Sequence, residues 1–151
     1  MGKVIISDTS CLILLSKIGE LNLLFRTYGE IIITPEISQE YGNLLPNWVK
    51  IISVKNNSIQ NEFEKIVDLG EASALALALE LKNCLVILDD KKGRMLAKKL
   101  NIEITRTLGT LIKARQQNII PRVKPILDKL RKVNFRIDPE IEKGVLRLVG
   151  E

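Results

Sequence analysis

The sequence contains no histidine, and this absence limits the chemistry that the protein can perform. Serine–histidine triads and histidine-based zinc sites are both excluded. Only two cysteines are present, Cys11 and Cys84, and both lie within apolar runs without a CxxC partner. This placement predicts two buried, reduced thiols and no disulfide framework. Any catalysis must therefore use carboxylates, lysine, arginine or hydroxyl groups.

Aromatic residues and long apolar runs are also scarce. Aromatics make up 4% of the chain, so leucine, isoleucine, valine and alanine must form the core. No apolar run approaches the roughly 18 to 20 residues of a membrane span. Asp8 also interrupts the region where a signal peptide would be apolar. We therefore expect a cytoplasmic protein with no membrane segment, and one domain over residues 1–151 in which residues 121–151 form C-terminal helices.

Charge is distributed unevenly along the chain. Residues 1–90 carry 7 basic and 12 acidic side chains, whereas residues 91–136 carry 14 basic and 2 acidic ones. A basic segment of this density favours a polyanionic partner such as nucleic acid. A solvated face of lysine-rich helices would produce the same composition, so both interpretations stay open.

Short apolar, β-branched runs alternate with helical patterns along most of the chain. The predicted strands occupy residues 4–6, 31–34, 49–54, 85–88 and 102–105. The run 70–81 is apolar nearly all round and predicts a buried helix, while 59–68 and 91–100 predict amphipathic helices. Two further helices are predicted at 121–132 and 139–149. Such alternation is typical of an α/β fold with a mainly parallel sheet covered on both faces.

Acidic residues follow two of the predicted strands. Asp8 follows the first strand, and Asp89 and Asp90 follow the strand at 85–88, so they should meet at the carboxyl edge of the sheet, where ligands bind. Asp8 and Asp90 could each simply cap the next helix. Glu40 could be a solvated side chain, and Glu71 could simply complement the dipole of its helix. Together, carboxylates from several elements indicate a site for a hard divalent cation. We expect Asp89 to point away from this cluster, because adjacent residues of a strand face opposite sides.

Four segments in order resemble the PIN domain: VIISDTS, ITPEISQEY, GEASALALALEL and LVILDDKKGRMLAKKL. The resemblance extends over residues 3 to 132 and is closest to a small prokaryotic subgroup related to VapC-type toxin nucleases. It implies a three-layer α/β/α sandwich and an endoribonuclease that uses Mg²⁺ or Mn²⁺ to hydrolyse RNA. It also implies a homodimer and, for a toxin, an antitoxin protein partner.

The same resemblance assigns roles to individual residues. The four acids that would hold metal and catalyse hydrolysis are Asp8, Glu40, Glu71 and Asp90. The residues expected to contact substrate are Ser10 and Thr107, which match hydroxyl positions near the metal or phosphate, and Arg94 and Arg106, which flank the expected site in sequence.

Two competing functions are consistent with the sequence to different degrees. A phosphotransfer fold with an aspartyl nucleophile would need a second aspartate where Ser10 stands, which argues against it. A catalytically degenerate PIN module that binds RNA or a protein partner without cleavage is the stronger alternative. Binding of Mn²⁺ at the acidic edge would distinguish the nuclease from this alternative.

Overall fold

The computed structural model of the protein describes residues 2–151, and its centre is a parallel sheet. The strands are β1 (Val4–Ser7), β2 (Ile31–Ile33), β3 (Val49–Ile51), β4 (Cys84–Ile87) and β5 (Glu103–Thr105). Their order across the sheet is β3-β2-β1-β4-β5, with every neighbouring pair parallel. β1 and β4 are therefore central, and the acids that follow them leave the sheet side by side.

Helices connect the strands and cover the sheet, which confirms the predicted α/β/α sandwich. Within the described residues they are α1 (Thr9–Lys17), α2 (Asn22–Tyr28), α3 (Pro35–Tyr41), α4 (Asn57–Glu64), α5 (Leu69–Leu81), α6 (Lys91–Lys99), α7 (Thr107–Gln116), α8 (Lys124–Lys132) and α9 (Pro139–Leu148). None of these helices has the length and apolar character needed to cross a membrane.

The apolar strands and α5 form the main core. Ile6, Ile33 and Val86 are fully buried in the sheet, as expected for strands covered on both faces. Residues 70–78 of α5 are all buried, which agrees with the apolar run predicted there. A second, smaller core lies among α7, α8 and α9. The C-terminal helices thus pack on the sandwich through their own apolar cluster.

Local hydrogen bonds explain where element boundaries differ from the prediction. The helix predicted at 59–68 lies at Asn57–Glu64, because the side chain of Asn56 caps it by accepting from the N–H of Ile59. Asp68, predicted to end that helix, instead caps α5.

The helix expected from Pro121 begins only at Lys124. The preceding turn is held instead by Glu151, whose carboxylate accepts from the N–H groups of Val123 and Lys124. The predicted strand at 49–54 ends at Ile51.

Both cysteines are buried free thiols, as predicted. Cys11 lies in the first turn of α1, at the carboxyl edge of the sheet, and is fully buried. Cys84 is the first residue of β4, at the opposite, amino edge. Each end of the central sheet therefore carries one buried cysteine.

Candidate functional site

The carboxyl edge of the sheet brings Asp8 and Asp89 together. Ser7 pairs with Ile87 at the last matched position of β1 and β4, so both chains leave the sheet at the same level. The backbone N–H of Asp89 then donates to Oδ2 of Asp8 over 3.0 Å. This contact joins the residues that follow the two central strands.

Asp8 is a buried carboxylate with structural contacts of its own. Its side chain is 2% exposed, and Oδ1 accepts from the N–H of Cys11 over 2.9 Å, which caps α1. Burial raises the pKa of Asp8 from 3.8 to about 7, and the negative charge of Asp89 adds to this rise. A buried carboxyl group with a pKa raised this far is a candidate for a functional group.

Asp89 lies within the acidic cluster, so the expectation that it points away is wrong. Its Oδ1 accepts from the N–H of Thr107 over 2.9 Å, and its Oδ2 accepts from the Thr107 hydroxyl over 2.6 Å. The strand ends at Ile87, so the alternation of side chains does not extend to Asp89. The free N–H groups at the start of α7 attract the carboxylate instead.

Asp90 is exposed and caps α6. Its Oδ2 accepts from the N–H groups of Lys92 and Gly93 over 3.0 and 3.2 Å. Its charge nevertheless contributes to the raised pKa of Glu71, so it lies near that carboxylate. Asp90, which was expected to face the metal, thus lies on the solvent side of the cluster. Asp89 lies beside Asp8 instead.

Glu71 is buried without a complete set of partners. It is 7% exposed, and its Oε2 has no hydrogen-bond partner within residues 2–151. Burial raises its pKa from 4.5 to about 8, and the neighbouring Asp68 side chain and Asp90 raise it further. An unpartnered buried carboxylate is rare, and its presence requires an explanation.

Asp68 is a member of this acidic region that the sequence prediction missed. It caps α5 by accepting from the N–H of Glu71 over 2.9 Å. The pattern of an aspartate followed three residues later by a glutamate is a recognisable signal of a helix start. That signal could have placed Asp68 beside Glu71.

Two glycines make room for the glutamates. A Cβ atom at Gly93 would lie 2.9 Å from Oε2 of Glu71, and one at Gly70 would lie 2.1 Å from Oε1 of Glu40. Side chains at these helical positions would displace the carboxylates. The close approach of α5 and α6 to the acids therefore depends on glycine.

Glu40 is exposed, and its hydrogen bonds connect α3 to α1 and α5. It lies in the last turn of α3, where its Oε1 accepts from the Thr9 hydroxyl over 2.5 Å. Its Oε2 accepts from the N–H of Gly70 over 3.2 Å. This glutamate therefore lies against the N-termini of α1 and α5.

The predicted substrate contacts divide into two groups. Ser10 and Thr107 both lie beside the acids, Ser10 in a groove with Asp89 and Asp90. Arg94 lines a different groove between α6 and β5, together with Lys91 and Lys98. Arg106 directly precedes α7, and its Nε, like that of Arg94, is buried without a hydrogen-bond partner in the described chain.

The donor chemistry of this edge fits a hard divalent cation, although its present geometry is not a ready-made metal centre. Across residues 2–151, no three acidic or cysteine side chains are arranged to hold an ion together. All available donors are oxygens, which Mg²⁺ and Mn²⁺ prefer. The free Oε2 of Glu71 and the raised pKa values of Asp8 and Glu71 are features that a cation would compensate.

The parallel sandwich with acids at its carboxyl edge defines an α/β domain of the kind that binds ligands at that edge. A family model described as PIN domain matches residues 4–151, and the chain belongs to that family. PIN domains are usually nucleases and generally use divalent metal ions. No curated protein matches the chain.

Proposed function

We propose that the protein is a metal-dependent endoribonuclease that hydrolyses RNA phosphodiester bonds at the carboxyl edge of its sheet. The observation that carries this proposal is the buried Glu71 carboxylate, whose Oε2 is unpartnered and whose acidic neighbours are Asp68 and Asp90. Ionising a buried carboxyl group without a counter-charge is costly, which is why the pKa of Glu71 is raised. A bound cation would offset that cost, and the neighbouring acids would then coordinate the same ion.

The proposed metal ligands are Asp8, Glu40, Glu71 and Asp90, with Asp89 added because it lies beside Asp8. When bound, Mg²⁺ or Mn²⁺ supplies Lewis acidity at the phosphate and lowers the pKa of water. Asp8 and Glu71 are the leading ligands, since both are buried and both resist ionisation without a counter-charge.

The other predicted residues have distinct proposed roles. The hydroxyl of Ser10 lies in the groove beside the acids, where it can donate to a phosphate oxygen. Thr107 is fully buried and already donates to Asp89, so it positions that carboxylate. Arg106 and Arg94 are proposed contacts of the RNA backbone.

The resemblance of the four sequence segments to the VapC-type subgroup supports a finer proposal. In that proposal the nuclease is the toxin of a toxin–antitoxin pair, acts as a homodimer and is bound by an antitoxin protein. The single-domain organisation over residues 1–151 and the cytoplasmic location belong to the same proposal.

Cleavage of a panel of tRNA and mRNA substrates tests the nuclease function. With Mg²⁺ or Mn²⁺ we expect the wild type to cleave, and Asp8→Asn and Glu71→Gln to lose activity by several orders of magnitude. Glu64→Gln, at an exposed position of α4, is the matched control and should cleave as the wild type does. Equal cleavage by all four proteins would overturn the assignment of this site.

A degenerate module that binds RNA or a protein partner without cleavage is the second candidate. The observation that favours it is the lack of three acidic or cysteine side chains arranged for an ion within residues 2–151. Melting experiments with Mn²⁺ separate the two functions, because an ion that binds only the folded state raises the melting temperature. A nuclease should show this rise in the wild type and a much smaller one in Asp8→Asn. A non-metal module should show none.

A further inference from the structure

An apolar groove opens directly beside the acidic edge. It has a volume of about 380 Å³ and is lined by Ser10, Ile13, Leu14, Asp89, Asp90 and Phe135. The lining thus combines three polar or acidic side chains with two aliphatic side chains and an aromatic ring. The volume is within the roughly 300 to 1,000 Å³ typical of sites for small organic groups.

Phe135 is held in place by the end of α8. Asn134 adopts a left-handed conformation with φ of 66°, and the N–H of Phe135 donates to the carbonyl of Leu130 over 3.1 Å. This arrangement is a helix-terminating motif in which the residue after the left-handed position is fixed. The ring is partly buried against the second core, to which Leu14 also belongs. The groove therefore has a preorganised aromatic wall.

Phe135 also lines a second groove, whose charged residues are basic. This groove has a volume of about 540 Å³ and is lined by Arg131, Asn134, Phe135, Arg136 and Ile137. Arg131 is paired with Asp128 and Glu142. Arg136 is exposed and makes no salt bridge within the described residues, which leaves its charge available for a ligand.

From this geometry we infer that Phe135 is a stacking platform for a nucleobase of single-stranded RNA, with the adjoining phosphate at Arg136. A base is neutral, planar and apolar on its face, which suits a ring and two aliphatic side chains better than a charged group would. Its exocyclic N–H groups can donate to Ser10 or Asp90, which line the same groove. The inference rests on the proposed nuclease function, because the acids would then act on the phosphate next to the stacked base.

The platform also specifies the form of the RNA. A base within a duplex is stacked on its neighbours and cannot present its face to a protein ring, whereas unpaired bases in loops and single strands can. Duplex RNA should therefore bind this groove poorly.

Fluorescence of short single-stranded RNAs, each with 2-aminopurine at one position, tests the platform without cleavage. The experiment is done in EDTA, so its outcome does not depend on catalysis. We expect the wild type to quench 2-aminopurine at one position. Phe135→Trp should preserve the quenching, whereas Phe135→Leu should bind about 5- to 150-fold more weakly, as expected for loss of one stacked base. Phe25→Leu, at an exposed phenylalanine of α2, is the matched control and should bind as the wild type does.

A second variant protects the test against a folding defect in Phe135→Leu. Arg136→Gln should lower the dependence of log affinity on log salt by about one charge, as expected for one lost phosphate contact. Equal affinities of wild type and Phe135→Leu, or equal binding of duplex and single strand, would overturn the platform. Quenching at one position in a protein that fails to cleave RNA would support the platform and contradict only the nuclease function.

Discussion

Asp8 is both a helix cap and the most deeply buried acid of the candidate site. The capping contact with Cys11 is what the simplest interpretation of the sequence predicts. The structure adds a second contact, from the N–H of Asp89, and almost complete burial. A cap alone needs neither, because caps function well at exposed positions. The two roles therefore coexist in one side chain.

The raised pKa of Asp8 predicts how the metal-free protein responds to pH. Below about pH 4 the carboxyl is protonated in both the folded and the unfolded chain. As the pH rises toward 7, the carboxyl ionises in the unfolded chain but stays protonated in the folded one, so folding loses stability. Above pH 7 this loss is complete, and at about 1.4 kcal/mol per pKa unit it amounts to about 4 kcal/mol.

Asp8→Asn removes this titration. We expect its free energy of unfolding, relative to the wild type, to increase by several kcal/mol between pH 4 and pH 8 in EDTA. Denaturant unfolding at a series of pH values measures this change, and a constant penalty for the lost acceptor does not alter its slope. Asp138→Asn, at the exposed cap of α9, is the matched control. Parallel pH curves for wild type and Asp8→Asn would contradict the prediction.

The sequence predicted that acids after a strand and at a helix start lie at one edge of the sheet, but it assigned the wrong orientation to Asp89. Asp8 and Glu71 could be placed because one follows an apolar strand and the other begins an apolar helix. The choice between Asp89 and Asp90 depended on where β4 ends, and a difference of one residue reverses the direction of each side chain. The contact with Thr107, from an element 18 residues away, decided the outcome.

At the level of elements, α6 packs tightly against the acidic edge through Gly93. A Cβ atom there would lie 2.9 Å from Oε2 of Glu71 and 3.1 Å from a methyl group of Leu88. We expect Gly93→Ala to shift either the carboxylate or the helix, to destabilise the protein by about 1 to 3 kcal/mol and to reduce cleavage.

Gly144 provides the matched control for this prediction. It also lies within a helix, α9, but a Cβ atom there would meet nothing within 4 Å. Gly144→Ala should therefore stabilise the protein by about 0.5 to 1 kcal/mol through helix propensity alone. Denaturant unfolding of both variants compares the two effects. A stabilised Gly93→Ala would show that the packing at the acidic edge is looser than the structure indicates.

Elements with strong patterns were predictable, and those defined by contacts distant in sequence were not. The apolar run of α5 and the continuous apolar strand β4 are recognisable from sequence alone. The alternation of such strands with helices predicts the parallel sheet. The start of α8 depends on Glu151, which lies 27 residues further along the chain. No local pattern could have indicated that contact.

At the level of the whole molecule, only part of the basic segment is available to a polyanion. Lys124 is paired with Asp128 of the same helix. Lys129 is paired with Glu20, and Arg131 with Glu142 of α9. Among the described residues, Arg94 and Arg106 make no salt bridge, and their Nε atoms lack a hydrogen-bond partner. The excess charge is therefore concentrated around α6, the start of α7 and Arg136.

This distribution predicts that individual basic side chains contribute differently to the salt dependence of RNA affinity. RNA affinity should fall steeply with salt concentration, because lysine and arginine side chains that contact phosphates release counterions from the RNA. Arg106→Gln should lower the slope of log affinity against log salt by about one and weaken binding to all sequences alike. Lys124→Gln, whose charge is already paired, should leave the slope unchanged. An affinity independent of salt would point to a protein partner instead.

The two buried cysteines allow local opening to be timed at both ends of the sheet. Burial raises the pKa of both thiols, so a thiol reagent reacts slowly with them in the closed structure and faster when the surrounding structure opens. Cys11 reports separation of α1 from the acidic edge, and Cys84 reports fraying of β4 at the amino edge. Mass spectrometry can follow both reactions in one sample. A ligand that binds the acids should slow the modification of Cys11 and leave that of Cys84 unchanged, while a ligand that tightens the whole fold should slow both.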